Sequence, residues 1–224
     1  MRTKQIVFTT IGLLALVIAI VIARRFFAPA ISWEANIRAF EAADRANPPP
    51  QDAVLFVGSS SIRLWDTLAQ DFPHTQVINR GFGGCEIADV IFYTDRIIIP
   101  YRPRMILLYA GDNDLANSKT PQQVFEDYQM FVGRVHQKLP TTRIAFIAVK
   151  PSPARAALTE SVREVNDRVS AYATLDNRLA YIDVFTPMLT ADGHPRRELF
   201  TEDGLHMNAD GYRLWRSVIG PYIP

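Results

Sequence analysis

The 224-residue chain is 48% hydrophobic and 21% charged, which suits one globular domain with a full core and a short appendage. Its 15 prolines and 11 glycines are too few for a fibrous or low-complexity protein, and a single cysteine, Cys85, excludes a disulfide within the chain. Four basic and no acidic residues fall in residues 1–30, so the remainder carries a net charge of −3 without a basic stripe, which argues against nucleic-acid binding.

Residues 6–23 form an uncharged run that is apolar apart from two threonines. As a helix rising about 1.5 Å per residue it would span about 27 Å, close to the hydrocarbon thickness of a bilayer. A cleavable signal peptide is the alternative, because Ala28-Pro29-Ala30 matches an A-x-A cleavage site. The run is longer than a usual signal-peptide core, and two arginines separate it from that site. We therefore expect an uncleaved membrane anchor over residues 1–30, although its evenly charged flanks specify the orientation only weakly.

An amphipathic helix is predicted next, over residues 32–46. Trp33, Ile37 and Phe40 fall on one face of it, and most of its charged residues fall opposite. Three prolines at 48–50 end the helix and make a stiff connector. The helix and connector, residues 31–50, therefore precede a main domain that we place at residues 51–224.

The main domain alternates short apolar runs with helical patterns. The predicted strands are residues 53–57, 76–79, 105–109, 143–149 and 180–184, and the predicted helices lie near residues 62–70, 87–98, 121–138, 155–175 and 208–219. The strand-like runs are apolar throughout rather than at every second position, which is typical of a parallel sheet covered on both faces. In such sheets, functional residues gather at the carboxyl ends of the strands.

Polar or glycine-rich segments follow the first three predicted strands. Gly58-Ser59-Ser60-Ser61 follows the first strand, where a helix start can expose a hydroxyl beside backbone N–H groups. Residues 79–84 follow the second strand with three glycines in four positions, which lets the backbone approach a ligand closely. Residues 111–114, Gly-Asp-Asn-Asp, follow the third strand and offer groups that donate and accept hydrogen bonds.

A carboxylate and an imidazole follow the fifth predicted strand, at Asp203 and His206. A carboxylate beside a histidine can fix the tautomer of the ring and stabilise its protonated form. Together the four segments supply a hydroxyl, backbone N–H groups, an amide and an acid–base pair. This is the inventory that acyl transfer needs: a nucleophile, oxyanion donors, a base and a group that orients the base.

The four segments resemble the sequence blocks of the SGNH hydrolases, the GDSL-type lipase/esterase superfamily. The resemblance is greatest to the branch similar to platelet-activating-factor acetylhydrolase. It implies a flavodoxin-like three-layer α/β/α fold, for which the apolar runs predict a five-stranded parallel sheet. The apolar run at residues 6–23 separately predicts one N-terminal transmembrane helix before this fold. The resemblance also implies a hydrolytic Ser-His-Asp site that needs no metal and no cofactor.

The resemblance assigns roles to five residues. Ser60, in the G-D-S block, would be the nucleophile, with Asp203 and His206 of the D-x-x-H block completing the catalytic set. The oxyanion hole would consist of the backbone N–H groups of Ser60 and Gly84 and the side-chain amide of Asn113. Gly84 ends the N-x-G-x-G-G block and Asn113 stands in the G-x-N-D block.

The chain departs from the family at Ser59, where the family has an aspartate that helps to order the oxyanion loops. We expect the serine to keep hydrogen bonding there and activity to survive. Ser59 and Ser61 are predicted to be helix N-cap hydroxyls rather than nucleophiles. Cys85 is predicted to be a small packing residue, because no histidine lies near it in sequence to form a thiolate pair.

The leading functional hypothesis is a serine esterase that cleaves carboxylic esters, short-acyl ones above all, through an acyl-Ser60 intermediate. Two alternatives remain: an O-acyltransferase acting on envelope glycans, and a catalytically silent, membrane-tethered binding module. The expected partners are a small-molecule, lipid or glycan ester and, through the N-terminal helix, a membrane. We expect the protein at a bacterial inner membrane, with the hydrolase domain in the periplasm or another extracytoplasmic space.

Overall fold

The computed structural model describes residues 33–223, which form alternating strands and helices. In chain order the elements are α1 (Glu34–Ala46), β1 (Val54–Gly58), α2 (Ser60–Arg63), α3 (Leu68–Asp71), β2 (Val77–Gly81), α4 (Ile87–Ile97), β3 (Met105–Tyr109), α5 (Asp112–Ala116), α6 (Pro121–Lys138), β4 (Arg143–Ile147), α7 (Thr159–Ala173), β5 (Leu179–Ile182) and α8 (Ala209–Ile219). Short 3₁₀ turns include Pro153–Leu158 and Arg197–Leu199. The sheet belongs to a compact unit that begins at Ile37.

All five strands are parallel and stand in the order β2-β1-β3-β4-β5. This is the flavodoxin-like order, so the predicted five-stranded parallel sheet and flavodoxin-like α/β fold are confirmed. Strands β1 and β3 are buried along their whole length, as their continuous apolar sequences require. Strand β2 lies on one side of β1 and β3 lies on the other, so the carboxyl ends of these three strands are next to one another.

Helices cover both faces of the sheet. Leu108 and Phe146 are register partners and point to the same face, where the Phe146 ring packs 5.0 Å from Tyr128 of α6. Tyr109, the next residue on β3, points to the opposite face and packs 5.0 Å from Trp215 of α8. Because α6 contacts both α4 and α7, these three helices form one layer, and α8 belongs to the other.

Three local predictions were wrong in detail. The helix predicted near residues 62–70 is two short helices, α2 and α3, and α2 begins earlier, at Ser60. The helix predicted near residues 155–175 begins as a 3₁₀ turn in which Arg155 has a non-helical backbone (φ −122°, ψ 30°), so α7 starts only at Thr159. No helix is predicted at the Gly-Asp-Asn-Asp segment, but after Gly111 it forms the short helix α5.

The predicted membrane anchor at residues 6–23 lies outside the described residues. Within residues 33–223, no helix is both long enough and apolar enough to cross a bilayer. The division of the chain at residues 30 and 50 therefore stays a prediction.

Candidate active site

Ser60 stands at the carboxyl edge of the sheet, as the first residue of α2. The chain leaves β1 through Gly58, whose φ of +135° belongs to glycine. A Cβ at Gly58 would lie 1.9 Å from the carbonyl oxygen of Tyr109, so only glycine allows β1 and β3 to approach this closely here. The N–H of Ser59 donates to the same carbonyl at 2.9 Å, which fixes the backbone immediately before Ser60.

The structure brings Ser60, His206 and Asp203 into one hydrogen-bonded chain. Nε2 of His206 lies 3.1 Å from Oγ of Ser60, although the two residues are 146 positions apart. Nδ1 of the same ring lies 2.6 Å from Oδ2 of Asp203. With its proton on Nδ1, the ring donates to the carboxylate and leaves Nε2 free to accept a proton from the serine hydroxyl.

Both oxygens of the Asp203 carboxylate make hydrogen-bond contacts. Its Oδ1 accepts hydrogen bonds from the N–H groups of Leu205 (2.8 Å) and His206 (2.9 Å) and from the Thr201 hydroxyl (2.8 Å). The two backbone hydrogen bonds, followed by the His206 contact, hold the pKa of Asp203 well below its usual range. Gly204 makes this turn possible with a φ of +65°. One short loop therefore delivers both the imidazole of His206 and the carboxylate that contacts it.

The predicted oxyanion donors lie in the three neighbouring segments that follow β1, β2 and β3: Ser60 in α2, Gly84 in a turn and Asn113 in α5. Gly84, in the turn between β2 and α4, has a φ of +81°, a backbone conformation suited to glycine. The side-chain amide of Asn113 donates from Nδ2 to the carbonyl oxygen of Cys85 at 3.1 Å. Asn113 thus contacts the residue next to Gly84, and the structure places these two predicted donors in adjoining segments.

Asn79, the first residue of the second motif, ties the Gly84 turn to the helix that carries Ser60. Its Nδ2 donates to the carbonyl oxygen of Ile62 at 2.7 Å, and its Oδ1 accepts from the N–H of Gly81 at 2.9 Å. A Cβ at Gly81 would lie 2.2 Å from the backbone nitrogen of Arg63. The glycine is therefore needed for β2 to pack against α2.

Asp114 and Lys119 form a partly buried charge cluster beside the Gly84 turn. The Asp114 carboxylate accepts from the N–H of Ile87 at 3.2 Å, while Nζ of Lys119 contacts Asp114 (2.9 Å), Asp127 (2.6 Å) and Glu86 (2.9 Å). Burial raises the pKa of Asp114 to about 7, although Lys119 opposes the shift. Burial lowers the pKa of Lys119, but its carboxylate partners outweigh this and raise it above the ordinary value. The cluster fixes the start of α4.

Ser59 does not replace the family's aspartate as expected. It occupies the N-cap position of α2, but its side chain makes no capping hydrogen bond. Its buried hydroxyl has no hydrogen-bond partner among the residues that the structure describes. Ser61 lies inside α2, so its capping prediction was wrong, whereas Ser59 stands at the predicted N-cap position without a hydroxyl cap. The oxyanion loops are held instead by Asn79, Asp114 and their partners.

Among the described residues, neither the cysteine nor the other histidines form a hydrogen-bonded chain like that of Ser60, His206 and Asp203. Cys85 is fully buried, and burial followed by nearby carboxylates raises the pKa of its thiol, which disfavours a thiolate. Two of the other histidines, His74 and His194, are exposed, and Nε2 of His136 lies 3.0 Å from the carbonyl oxygen of Thr142. Over residues 33–223, no three His, Cys, Asp or Glu side chains are grouped so as to hold a metal ion.

Two residues at the site were missed in the sequence. Lys119 follows α5 and Arg155 follows two prolines after β4, and neither belongs to a motif. Nη2 of Arg155 donates to Oδ1 of Asn113 at 3.0 Å, and its Nη1 lies 3.1 Å from Oδ2 of Asp112. The position of Arg155 just beyond the carboxyl end of a strand was the signal that could have drawn attention to it.

Solved structures with this fold come from several bacteria. A Streptococcus pneumonia protein, provisionally described as a platelet activating factor, is 18% identical with a TM-score of 0.76, over 92% of this chain and 98% of that chain. A GDSL-like lipase from Bacteroides thetaiotaomicron is 20% identical with a TM-score of 0.72, over 84% and 97% of the two chains. A provisionally described acylhydrolase from Bacteroides fragilis is 21% identical with a TM-score of 0.71, over 84% and 95%.

A sequence comparison with curated proteins gives no significant match. Residues 50–214, however, match the model of the GDSL-like Lipase/Acylhydrolase family. That range is well over half of the chain and contains all four motif segments together with the Ser60, His206 and Asp203 contacts. The chain therefore belongs to the GDSL-like lipase/acylhydrolase family, as its motifs predicted.

Proposed function

We propose that the protein is a serine esterase that hydrolyses carboxylic esters through an acyl-Ser60 intermediate. The observation that carries the proposal is the hydrogen-bonded chain from Asp203 through His206 to Ser60, with distances of 2.6 Å and 3.1 Å. Membership of the acylhydrolase family supports the general reaction class. The orientation of the imidazole, with Nδ1 on the carboxylate and Nε2 on the hydroxyl, is the one that general-base catalysis requires.

In the acylation half-reaction, Nε2 of His206 takes the proton of Ser60 while Oγ bonds to the ester carbonyl carbon. Asp203 stabilises the resulting imidazolium. The N–H groups of Ser60 and Gly84 and Nδ2–H of Asn113 donate hydrogen bonds to the former carbonyl oxygen and stabilise its negative charge. His206 then gives its proton to the departing alkoxide, the ester C–O bond breaks, and the acyl group stays on Ser60.

Deacylation repeats these steps with water as the nucleophile. His206 takes a proton from the water as its oxygen bonds to the acyl carbon, and the same donors hold the oxyanion. Collapse of the intermediate breaks the bond to Oγ, and the proton on Nε2 returns to Ser60. The products are a carboxylic acid and the regenerated enzyme.

Short-acyl esters are the substrate class that we propose. The support is the resemblance of the motif segments to the branch similar to platelet-activating-factor acetylhydrolase. Hydrolysis of p-nitrophenyl esters from acetate to decanoate by the full chain measures this preference, and we expect the highest kcat/KM with the shortest chains. An optimum at decanoate would contradict the short-acyl assignment without affecting the reaction class.

The proposed nucleophile is tested by Ser60→Ala, for which we expect kcat with p-nitrophenyl acetate to fall at least about 10⁴-fold. Ser59→Ala is the matched control. Its hydroxyl makes no hydrogen bond to any described residue, so the change should leave kcat within about twofold of the parent. If Ser60→Ala hydrolyses the ester as fast as the parent, Ser60 is not the nucleophile.

Adding glycan acceptors and measuring acyl transfer against hydrolysis separates an acyltransferase from an esterase.

We also propose that the enzyme is anchored in the inner membrane, with its active site on the extracytoplasmic side. The apolar run at residues 6–23, with basic residues at both ends, supports this placement. Lipid or envelope-glycan esters would then be within reach. In a bacterial host, the full chain should stay in the membrane pellet after alkaline carbonate extraction and be digested by protease added to spheroplasts. Release by carbonate, or protection from the protease, would contradict the anchor or its orientation.

A further inference from the structure

The amide of Asn113 can donate to an oxyanion only if its NH₂ group, and not its oxygen, faces the site. An amide turned by 180° would present a lone pair to the developing negative charge. Both ends of this amide are held: Nδ2 donates to the carbonyl oxygen of Cys85 at 3.1 Å, and Oδ1 accepts from Nη2 of Arg155 at 3.0 Å. Because a guanidinium can only donate, its contact with Oδ1 fixes which way the amide is turned.

Arg155 is itself held by the residue next to Asn113. Its Nη1 lies 3.1 Å from Oδ2 of Asp112, and Oδ1 of Asp112 accepts from the backbone N–H of Asn113 at 3.0 Å. The three residues therefore close a ring that fixes Asn113 by both its main chain and its side chain. Asp112 and Asn113 are only 7% and 9% exposed, and hydrogen bonds to a charged group are strengthened in such surroundings.

The segment that carries Arg155 also contacts the loop of the catalytic base. Ala154, within the 3₁₀ turn Pro153–Leu158, donates its N–H to the carbonyl oxygen of Gly204 at 3.0 Å. Gly204 lies between Asp203 and His206. The same short turn therefore contacts the proposed oxyanion donor through Arg155 and the acid–base loop through Ala154.

We propose that Arg155 is a positioning residue that aims the Asn113 amide at the oxyanion and, by drawing electron density from Oδ1, makes Nδ2–H a stronger donor. The proposal rests on the esterase function proposed above. Arg155 acts through Asn113 and does not touch the substrate. The loss of Arg155 therefore lowers kcat, because the oxyanion forms only in the transition state, and leaves KM nearly unchanged.

The test is a double-mutant cycle on ester hydrolysis by the full chain, with Arg155→Ala, Asn113→Ala and both changes together. We expect Arg155→Ala to lower kcat about 10- to 100-fold and Asn113→Ala roughly 100- to 1000-fold. The double variant should be no slower than Asn113→Ala alone, within about twofold, because Arg155 has nothing left to position. Arg168→Ala, which removes an exposed arginine paired with Glu164, is the matched control and should leave kcat unchanged.

Arg155→Lys keeps the test decisive if the alanine variant does not fold. Lysine keeps the positive charge beside Asp112 but cannot reach Asp112 and Asn113 with a planar fork, so kcat should lie below the parent at an unchanged KM. The proposal is overturned if kcat of the folded Arg155 variants stays within about twofold of the parent. It is equally overturned if the two losses multiply in the double variant, or if the loss falls on KM, which would mark Arg155 as a substrate-binding residue.

These outcomes are distinct from a failure of the esterase proposal. If the parent and Arg168→Ala hydrolyse the ester and Ser60→Ala does not, Ser60 is the nucleophile. That assignment does not depend on the kinetics of the Arg155 variants. If the parent itself has no Ser60-dependent activity, the esterase proposal fails before Arg155 is tested.

Discussion

Asp203 remains ionised under acidic conditions because two backbone N–H groups, the imidazole of His206 and a threonine hydroxyl all donate to it. These contacts hold its pKa below the usual range even though the side chain is about half exposed. The stability that they contribute is present at neutral pH and is lost only when acid protonates the carboxylate. Protonation of Asp203 should therefore not be the cause of any loss of activity on moderate acidification.

Asp203→Asn tests the orienting role of this carboxylate. An amide can present its NH₂ group to Nδ1 and stabilise the wrong tautomer, with the proton on Nε2, so we expect kcat to fall by up to about 10⁴-fold. Asp192→Asn is the matched control, because Asp192 stands 3.9 Å from the exposed His194 in a comparable pair away from the site. Equal activity of Asp203→Asn and the parent would show that His206 needs no carboxylate.

At the residue scale, the sequence identified the candidates that belong to motifs and missed those that do not. Ser60, Asn113 and His206 stand in short segments whose residue types match the chemistry of acyl transfer. Arg155 and Lys119 act through contacts with residues 42 and 5 positions away, and an arginine or lysine in a loop is normally read as a solvated surface residue. Asn113 follows β3 and Arg155 follows β4. The two residues meet because these strands are neighbours in the sheet, which the sequence does not reveal.

At the element scale, the start of α4 is fixed by the charge cluster around Lys119. Asp114 on α5 accepts from the N–H of Ile87, the first residue of α4, and Lys119 joins Asp114 to Glu86 and to Asp127 on α6. Three helices therefore converge on one ammonium group. Because the Gly84 turn leads directly into α4, the geometry of the proposed oxyanion hole depends on this convergence.

The pH dependence of stability should carry a signature of Asp114. Burial raises its pKa from 3.8 to about 7, so the folded protein holds this proton more tightly than the unfolded chain does. Stability from this group is present below about pH 4 and is lost as the pH rises toward 7. We expect the free energy of unfolding of the parent, minus that of Asp114→Asn, to fall by up to about 1 kcal/mol per pH unit across this window.

Urea unfolding of both proteins at roughly pH 4.5, 5.5 and 6.5 measures this difference. The asparagine can still accept from Ile87 through its own oxygen, so the helix start should be retained in the variant. A difference that stays constant with pH, or rises with it, would show that Asp114 is ionised throughout.

At the scale of the whole molecule, the sheet was the most predictable feature. Five apolar runs bounded by glycine and polar residues predicted the strands, and the structure shifts their ends by only a few residues. Strand order came from the family resemblance and not from the runs, because periodicity carries no information on which strands are neighbours. The short helix α5 was missed because four polar or glycine residues in succession look like a loop, although Gly111 with a φ of +117° lets a helix begin there.

The fold assembles the site from parts that are distant in the chain. Ser60 and His206 are 146 residues apart, and between them in the chain lie Asn113, in α5, and Arg155, in a 3₁₀ turn. All four come together because parallel strands place their carboxyl ends at one edge of the sheet. We therefore expect Ser60, at that edge, to be a reactive serine.

The most direct measurement is covalent trapping of the full chain with a fluorophosphonate probe, followed by intact-mass analysis and peptide mapping. An activated serine attacks the phosphorus and expels fluoride, which leaves one stable adduct. We predict a single adduct on Ser60, slower labelling of His206→Ala and no labelling of Ser60→Ala. An adduct on another residue, or equal labelling of the parent and Ser60→Ala, would contradict this prediction.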